Sequence, residues 1–159
     1  MLYSGVIQQA ELCINFFPKK FMYRKQTEFI QRRLPRAEIY LKTHPAVVFA
    51  YLFGSLAKGK PTPLSDVDIA IFLTDGIDVA ETKLEILGKL VDILQIDEID
   101  LVILNTASLP LINNILKYHK LIVDKQPLER HLFESLVMRK YFDFSIKEST
   151  MLRGRYLNG

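Results

Sequence analysis

Leu52-Phe53-Gly54-Ser55, ten intervening residues, then Asp66-Val67-Asp68-Ile69-Ala70-Ile71 spells a strand, a tight turn and a second strand that opens on two carboxylates. Val47 to Phe53 is rich in β-branched and aromatic residues and predicts a buried strand. Gly54-Ser55 ends it, and Lys58 to Pro63, with Gly59, Pro61 and Pro63, predicts a loop. Val67 to Leu73 predicts a second apolar strand. Side chains at i and i+2 of a strand share a face, so Asp66 and Asp68 project together from its start. Two adjacent carboxylates repel unless a cation lies between them. A pair of divalent ions bridged by shared carboxylates is the usual answer. Magnesium suits such oxygen ligands and leaves room for nucleotide phosphates.

A third carboxylate would complete the site, and Asp100 is the candidate. Like Asp68 it precedes an apolar run, Leu101-Val102-Ile103-Leu104. If the strand it opens neighbours the second strand, Asp100 joins the pair, binds the second metal and helps deprotonate an attacking hydroxyl. Asp97 is a weaker substitute, because it lies before the strand. Gly54 lets the backbone approach a phosphate closely. The Ser55 hydroxyl and nearby N–H groups can then hold terminal phosphates at a helix start. Lys58 and Lys60 follow and can steer a triphosphate.

Outward from this centre, residues 25–42 predict a helix, with Pro35 producing a kink or break near Leu34. After the Asp75-Gly76 turn, Ala80, Leu84, Leu87, Val91 and Leu94 mark one stripe of another helix. Ile99 to Leu104 predicts a third strand. Ser108 is placed to cap a helix from about Leu109 to Tyr118. Leu121 to Val123 predicts a short strand, and Pro127 opens a final helix. Leu128, Leu132 and Leu136, with Phe133, Val137, Tyr141 and Phe144, give that helix a wide apolar face, and the stripe from Phe133 to Phe144 is expected in the core. The order predicts an α/β (α+β) domain: a small mixed β-sheet flanked by helices. Residues 25–159 are expected to form it, with 1–24 as an N-terminal extension and Met22 as an alternative start.

With 159 residues, 49% hydrophobic and 25% charged, the chain has the composition of one globular domain. Disordered, collagen-like and coiled-coil classes are excluded. No apolar run approaches the roughly 20 residues of a membrane helix, so no membrane role is expected. Cys13 is the only cysteine, which excludes an internal disulfide and a thiolate zinc site. A cytoplasmic setting fits that usage. His44, His119 and His131 lack metal-ligand spacing, and His119 and His131 are expected at the surface or at helix ends. The net charge of +3 is partitioned: +5 over residues 1–45, −6 over 46–105 and +4 over 106–159. An acidic middle between basic flanks is not the composition of a plain nucleic-acid binder, and no direct nucleic-acid binding is expected.

The pattern Gly54-Ser55-x10-Asp66-x-Asp68, with Asp100 on a later strand, resembles the nucleotidyltransferase superfamily that shares the fold of DNA polymerase β. The short chain is similar to the minimal nucleotidyltransferases, and more closely to the MntA-type antitoxins that pair with HEPN-domain toxins. The similarity runs from about residue 28 to 145, through Tyr51-Leu52-Phe53-Gly54-Ser55 and Arg139-Lys140-Tyr141-Phe142-Asp143-Phe144. The resemblance implies a protein adenylyltransferase that moves AMP from ATP to a tyrosine of the HEPN toxin and silences its RNase. Asp66 and Asp68 would hold two Mg2+ ions, and Asp100 would complete the catalytic metal site and act as base. Gly54 and Ser55, with Lys58, would bind the nucleotide phosphates. The chain departs from the pattern in its longer N-terminus, and in Leu56 and Lys58 where relatives often carry arginine. That difference bears on phosphate affinity and leaves the metal site unaltered.

Two other functions fit the same residues: nucleotidyl transfer to a small molecule, and a non-catalytic antitoxin that only covers its toxin. For a protein acceptor, Asp75, Asp78, Glu81 and Glu85, with the exposed edge of the 128–144 helix, are the expected docking surface.

Overall fold

The computed structural model describes residues 19–59 and 66–157, with side chains placed for 28–59 and 66–151. Its elements are α1 (Lys19–Thr43), β1 (Val47–Phe53), the single turn α2 (Gly54–Ala57), β2 (Val67–Leu73), α3 (Val79–Leu94), β3 (Ile99–Ile103), α4 (Leu109–Lys117), β4 (Lys120–Asp124) and α5 (Pro127–Leu157). The strands form one mixed sheet in the order β3-β2-β1-β4. β1 runs antiparallel to β2 and β4, while β2 and β3 are parallel. The parallel pair needs a crossover, which α3 supplies. The expected N-terminal extension, apart from the start of α1, and Lys60, Pro61 and Pro63 of the expected loop lie outside the described residues. α1 begins at Lys19, so the expected boundary between residues 24 and 25 falls within a helix.

Alternation along the strands sorts side chains to two cores. Val67, Ile69, Ile71 and Leu73 of β2 face α1 and α3, where they meet Ile30, Ala37 and Leu41 and also Ile86, Leu90 and Leu94. Ala70 and Phe72 face the other side, with Phe49 and Tyr51 of β1, Ile112 and Ile115 of α4, and Phe133 and Val137 of α5. At about 25 cal/mol per Å2 of apolar surface, this two-sided burial is the main stabilising term. The Asn105 side chain ties β2 to the segment after β3, donating to Leu73 O and accepting from Leu73 N, each at 2.8 Å.

A polar clamp holds α5 to the sheet. Tyr51 Oη donates to Glu134 Oε1 at 2.6 Å, and Arg130 donates to Glu134 at 3.0 Å and to Asp124 at 3.1 Å. Burial, then the bond to Glu134 and its charge, raise the Tyr51 phenol far above its ordinary value. Burial alone would push Glu134 up, yet the bonds from Tyr51 and Arg130 outweigh it and hold the carboxyl below the usual range. His119 packs edge-on to Tyr51, with ring centroids 4.4 Å apart, and its Nδ1 lies 3.0 Å from Leu116 O.

The structure corrects several local expectations. α1 is one continuous helix through Pro35, so of the expected kink or break the break does not occur. The missing N–H of Pro35 frees the carbonyl of Gln31, which is exposed, while buried Ile30, Ala37 and Leu41 hold the helix on both sides. On α3 the expected Leu94 is buried and Leu87 packs on the core, but the other buried residues are Ile86 and Leu90, while Leu84 is 70% exposed and Ala80 is also exposed. Two apolar stripes compete in that sequence. The N-terminus is fixed by Asp78, whose side chain accepts from Glu81 N at 2.9 Å, and the second stripe is the one that meets α1 and the sheet. Ser108 is the residue before α4, but its hydroxyl makes no capping bond. On α5, Val137 is buried and Phe133 packs against the core, but Phe144, Leu128, Leu132 and Leu136 are exposed. One sheet face, shared with α4, is too narrow to cover a helix apolar on so much of its circumference.

Candidate active site

The strand register builds the site. Phe53, the last residue of β1, lies opposite Asp68 of β2, and Asp68 lies opposite Asp100 of β3. Neighbouring strands are about 4.8 Å apart, so the Gly54 turn, Asp68 and Asp100 line up along one edge of the sheet. Asp66 immediately precedes β2. Asp68 alternates in phase with Ala70 and Phe72, and Asp100 with Val102, all of which face α4 and α5. The carboxylates therefore open on the α5 side of the sheet. Asp66 and Asp100 are exposed, while Asp68 is half-buried. Burial, then the negative charges of Asp100 and Asp66, push the Asp68 carboxyl up to about 6.

Gly54 has a positive φ of 70°, in the left-handed region. A Cβ at this position would overlap the Asp68 carboxylate. Glycine is thus needed twice: for the turn itself, and because the backbone lies directly against an acidic side chain. Ser55 follows, half-buried, in the one-turn helix α2, which Lys58 closes through its N–H to Gly54 O at 3.3 Å. Lys58 is exposed, and its Nζ stands 4.7 Å from the ring centroid of Tyr118.

Tyr118 and Lys120 were not among the expected site residues. Leu52 pairs with Lys120, which brings the start of β4 to the same edge. Along that edge, acids on β3 and β2 give way to the glycine turn and then to Lys58, Tyr118 and Lys120. A cavity of about 360 Å3 adjoins this basic end, between α1 and the sheet, and is lined by Ile30, Leu34, Glu38, Leu52, Leu56 and Lys120. Nothing in the run Lys117-Tyr118-His119-Lys120 marks it locally; only the long-range pairing of β1 with β4 makes it part of the site.

The acids expected as a docking surface lie elsewhere. Val47 pairs with Leu73, and Thr74 N donates to Ala46 O at 2.9 Å. Asp75, Asp78, Glu81 and Glu85 therefore sit at the opposite end of β2, and α3 covers the opposite sheet face. Glu85 instead lies 3.5 Å from His44 Nε2.

Carboxylates alone, without imidazole or thiolate, are a donor set for a hard cation such as Mg2+. Among the described residues no three His, Cys, Asp or Glu side chains are gathered closely enough to hold an ion as they stand. The charged form of Asp68 is disfavoured by burial and then by the charges of Asp100 and Asp66, and a bound cation would favour it. The donor chemistry fits the group.

Residues 37–128, from α1 to the first turn of α5, match the family model described as Polymerase beta, Nucleotidyltransferase. The chain belongs to this nucleotidyltransferase family. A protein of Methanocaldococcus jannaschii that carries the name of a protein adenylyltransferase is 34% identical, over 66% of this nucleotidyltransferase and 86% of that protein. A chain of a toxin–antitoxin crystal structure with AMP-PNP superimposes with a TM-score of 0.62 at 27% identity, covering 74% of this chain and 94% of that one. A chain from a variant of the toxin–antitoxin pair MntA-HpeT gives 0.59 at 28% identity, covering 72% and 90%. No described helix of the nucleotidyltransferase is long and apolar enough to cross a membrane.

Proposed function

We propose that this nucleotidyltransferase is an antitoxin that transfers AMP from ATP to a tyrosine of a HEPN-domain toxin. The observation that carries the reading is the register that sets Asp68 beside Asp100 and against the Gly54 turn. The likeness to a protein adenylyltransferase and to chains of toxin–antitoxin complexes, one with AMP-PNP, supports both the nucleotide and the partner.

The triphosphate lies along the sheet edge. Gly54 presents its bare backbone to the β and γ phosphates, and Ser55 donates its hydroxyl to them. Lys58 neutralises the outer phosphate charge. The acceptor hydroxyl attacks the α-phosphorus in line, the bond from that phosphorus to the bridging oxygen breaks, and pyrophosphate leaves. Asp100 takes the hydroxyl proton. Two Mg2+ ions would be held by Asp66 and Asp68, with Asp100 completing one of the two sites. When bound they supply charge neutralisation for the entering and leaving oxygens. The catalytic unit is assigned to the chain from the start of α1 onward, in the cytoplasm.

The test is incubation with α-labelled ATP, Mg2+ and the product of the adjoining reading frame. Label on a tyrosine of that protein supports the reading. Label on a small molecule alone, or a stable complex without label, contradicts it.

A further inference from the structure

The cavity between α1 and the sheet lies behind the phosphate turn and has no part in the chemistry above. Leu52 and Lys120 are paired, so their side chains share a face of the sheet, and Leu52 belongs to the core beneath α1. The cavity therefore opens on the face opposite to that of Asp68 and Asp100. Leu56 of α2, the residue after Ser55, forms part of its wall, so one turn of helix separates the cavity from the phosphate site. Its volume of about 360 Å3 is that of a small-molecule site.

Three polar groups of the lining are unanswered within the described protein. Gln31 and Pro35 both line the cavity, four residues apart on α1. In a helix the Gln31 carbonyl points along the surface between them, and Pro35 has no N–H to give it. The proline ring also presses on that carbonyl and turns it outward. Nearly one turn further on, Glu38 is half-buried and makes no hydrogen bond or ion pair with any described residue. On the opposite wall Lys120 has no carboxylate within ion-pair distance among the described residues, Glu38 included. Between the two walls the floor is apolar. Ile30 and Leu52 are each 3% exposed, and Leu34 and Leu56 pack half-buried against the same core.

These groups select the occupant. The α1 wall offers a carboxylate and a bare carbonyl, which together take a protonated amine. The sheet wall offers an ammonium, which takes a carboxylate. The floor takes a hydrocarbon side chain. A nucleotide or free phosphate would bring negative charge against Glu38, and a plain hydrocarbon would cover both charges without answering either.

We propose, resting on the ATP site assigned above, that this cavity binds a free α-amino acid with an apolar side chain and that its occupancy regulates the nucleotide site. Glu38 and the Gln31 carbonyl hold the ammonium, Lys120 holds the carboxylate, and Leu34, Leu52 and Leu56 hold the side chain. The ligand fills the space behind α2 and keeps Gly54 and Ser55 where they meet phosphate. ATP therefore binds more tightly when the cavity is occupied, and by linkage the amino acid binds more tightly in the presence of ATP.

The test titrates the isotope-labelled full-length chain with L-leucine, L-isoleucine, L-methionine and L-phenylalanine, each up to millimolar concentration, and follows amide shifts by NMR. Calorimetry measures ATP affinity with Mg2+, with and without the amino acid. The expected result is saturable shifts at Gln31, Glu38, Leu56 and Lys120 for at least one of the four, with ATP affinity raised at least about 5-fold. The deaminated acid and the decarboxylated amine of that amino acid bind at least about 10-fold more weakly. Glu38→Gln weakens the amino acid at least about 10-fold, leaving ATP affinity in its absence within about twofold of wild type. Pro35→Ala, which restores the N–H to the Gln31 carbonyl, weakens the amino acid about 5-fold while raising the melting temperature.

Binding of none of the four overturns the proposal, as does equal affinity in both variants or equal binding of the analogues that lack one charge. Contacts between residues 1–18 and the Leu56 methyl groups in the ligand-free chain would also overturn it, by showing that the chain fills its own cavity. Amino-acid binding without change in ATP affinity overturns the regulatory role. A chain that binds the amino acid but no ATP removes the nucleotide assignment itself, a failure distinct from the others.

Discussion

Asp68 and Asp100 stand directly opposite one another on adjacent parallel strands. Burial, and then the negative charges of Asp100 and Asp66, push the Asp68 carboxyl up to about 6. The sign of the linkage follows. In the cation-free protein the folded state holds the Asp68 proton more tightly than the unfolded chain, whose value is about 3.9. Stability is thus lost as pH rises from about 4 to about 6 and stays lower above it. Asp68→Asn should raise the melting temperature of the metal-free protein at pH 7.5 and leave it nearly unchanged at pH 4. Thermal scans across that range check this; equal effects at both pH values would exclude the ionisation of Asp68 as the cause.

The same acids should be indispensable in turnover. Asp66→Asn and Asp68→Asn are expected to be inactive in AMP transfer while remaining folded. Asp100→Ala should bind ATP with modestly changed affinity yet turn over at least about 100-fold more slowly, as the loss of an acid–base group predicts. Single-turnover rates beside calorimetric ATP affinities separate the two effects. An Asp100→Ala enzyme with near wild-type turnover would move the base to another group.

Gly54 should tolerate no side chain. A Cβ there enters the Asp68 carboxylate, and the left-handed backbone adds about 1–2 kcal/mol for a non-glycine residue. Gly54→Ala is expected to lower the melting temperature by several degrees and to abolish transfer. Gly76 has a similar φ of 79° but open space around its Cβ position, so Gly76→Ala should cost stability alone. Paired melting and activity measurements distinguish them.

Tyr118 should act as a positioning residue through Lys58. An exposed cation–π contact contributes about 0.5–1 kcal/mol, equivalent to roughly 2–5-fold in affinity. Tyr118→Leu should raise the KM for ATP by that factor with kcat unchanged, and Tyr118→Phe, which keeps the ring, should match wild type. In a Lys58→Met background neither substitution should have a further effect. Additive losses would show that Tyr118 acts independently of the lysine.

The core of the fold and the acidic half of the site were legible because they depend on local rules. Val47 to Phe53 and Val67 to Leu73 are runs that only buried strands explain, and the two-residue period sets Asp66 and Asp68 on one face. Asp100 could be found because its local setting repeats that of Asp68. Of the basic half only Lys58 follows from local sequence; Tyr118 and Lys120 join the edge only through pairing of β1 with β4, about 70 residues apart in sequence. The docking acids were misplaced for a related reason. Charge composition groups Asp75 and Glu81 with Asp68, but a seven-residue strand carries them to the far end of the sheet. On α3 and α5, more apolar residues are available than one face can bury, and only the packing partners decide which stripe turns inward.

The most direct test of the account is the fate of the α-phosphate. Wild-type chain, Mg2+, α-labelled ATP and the product of the adjoining reading frame should yield label on a tyrosine of that protein, with one pyrophosphate released per AMP attached. Asp68→Asn under the same conditions should yield none. Label transferred equally well by Asp68→Asn, or found on no protein with the wild-type chain although ATP is bound, would contradict it.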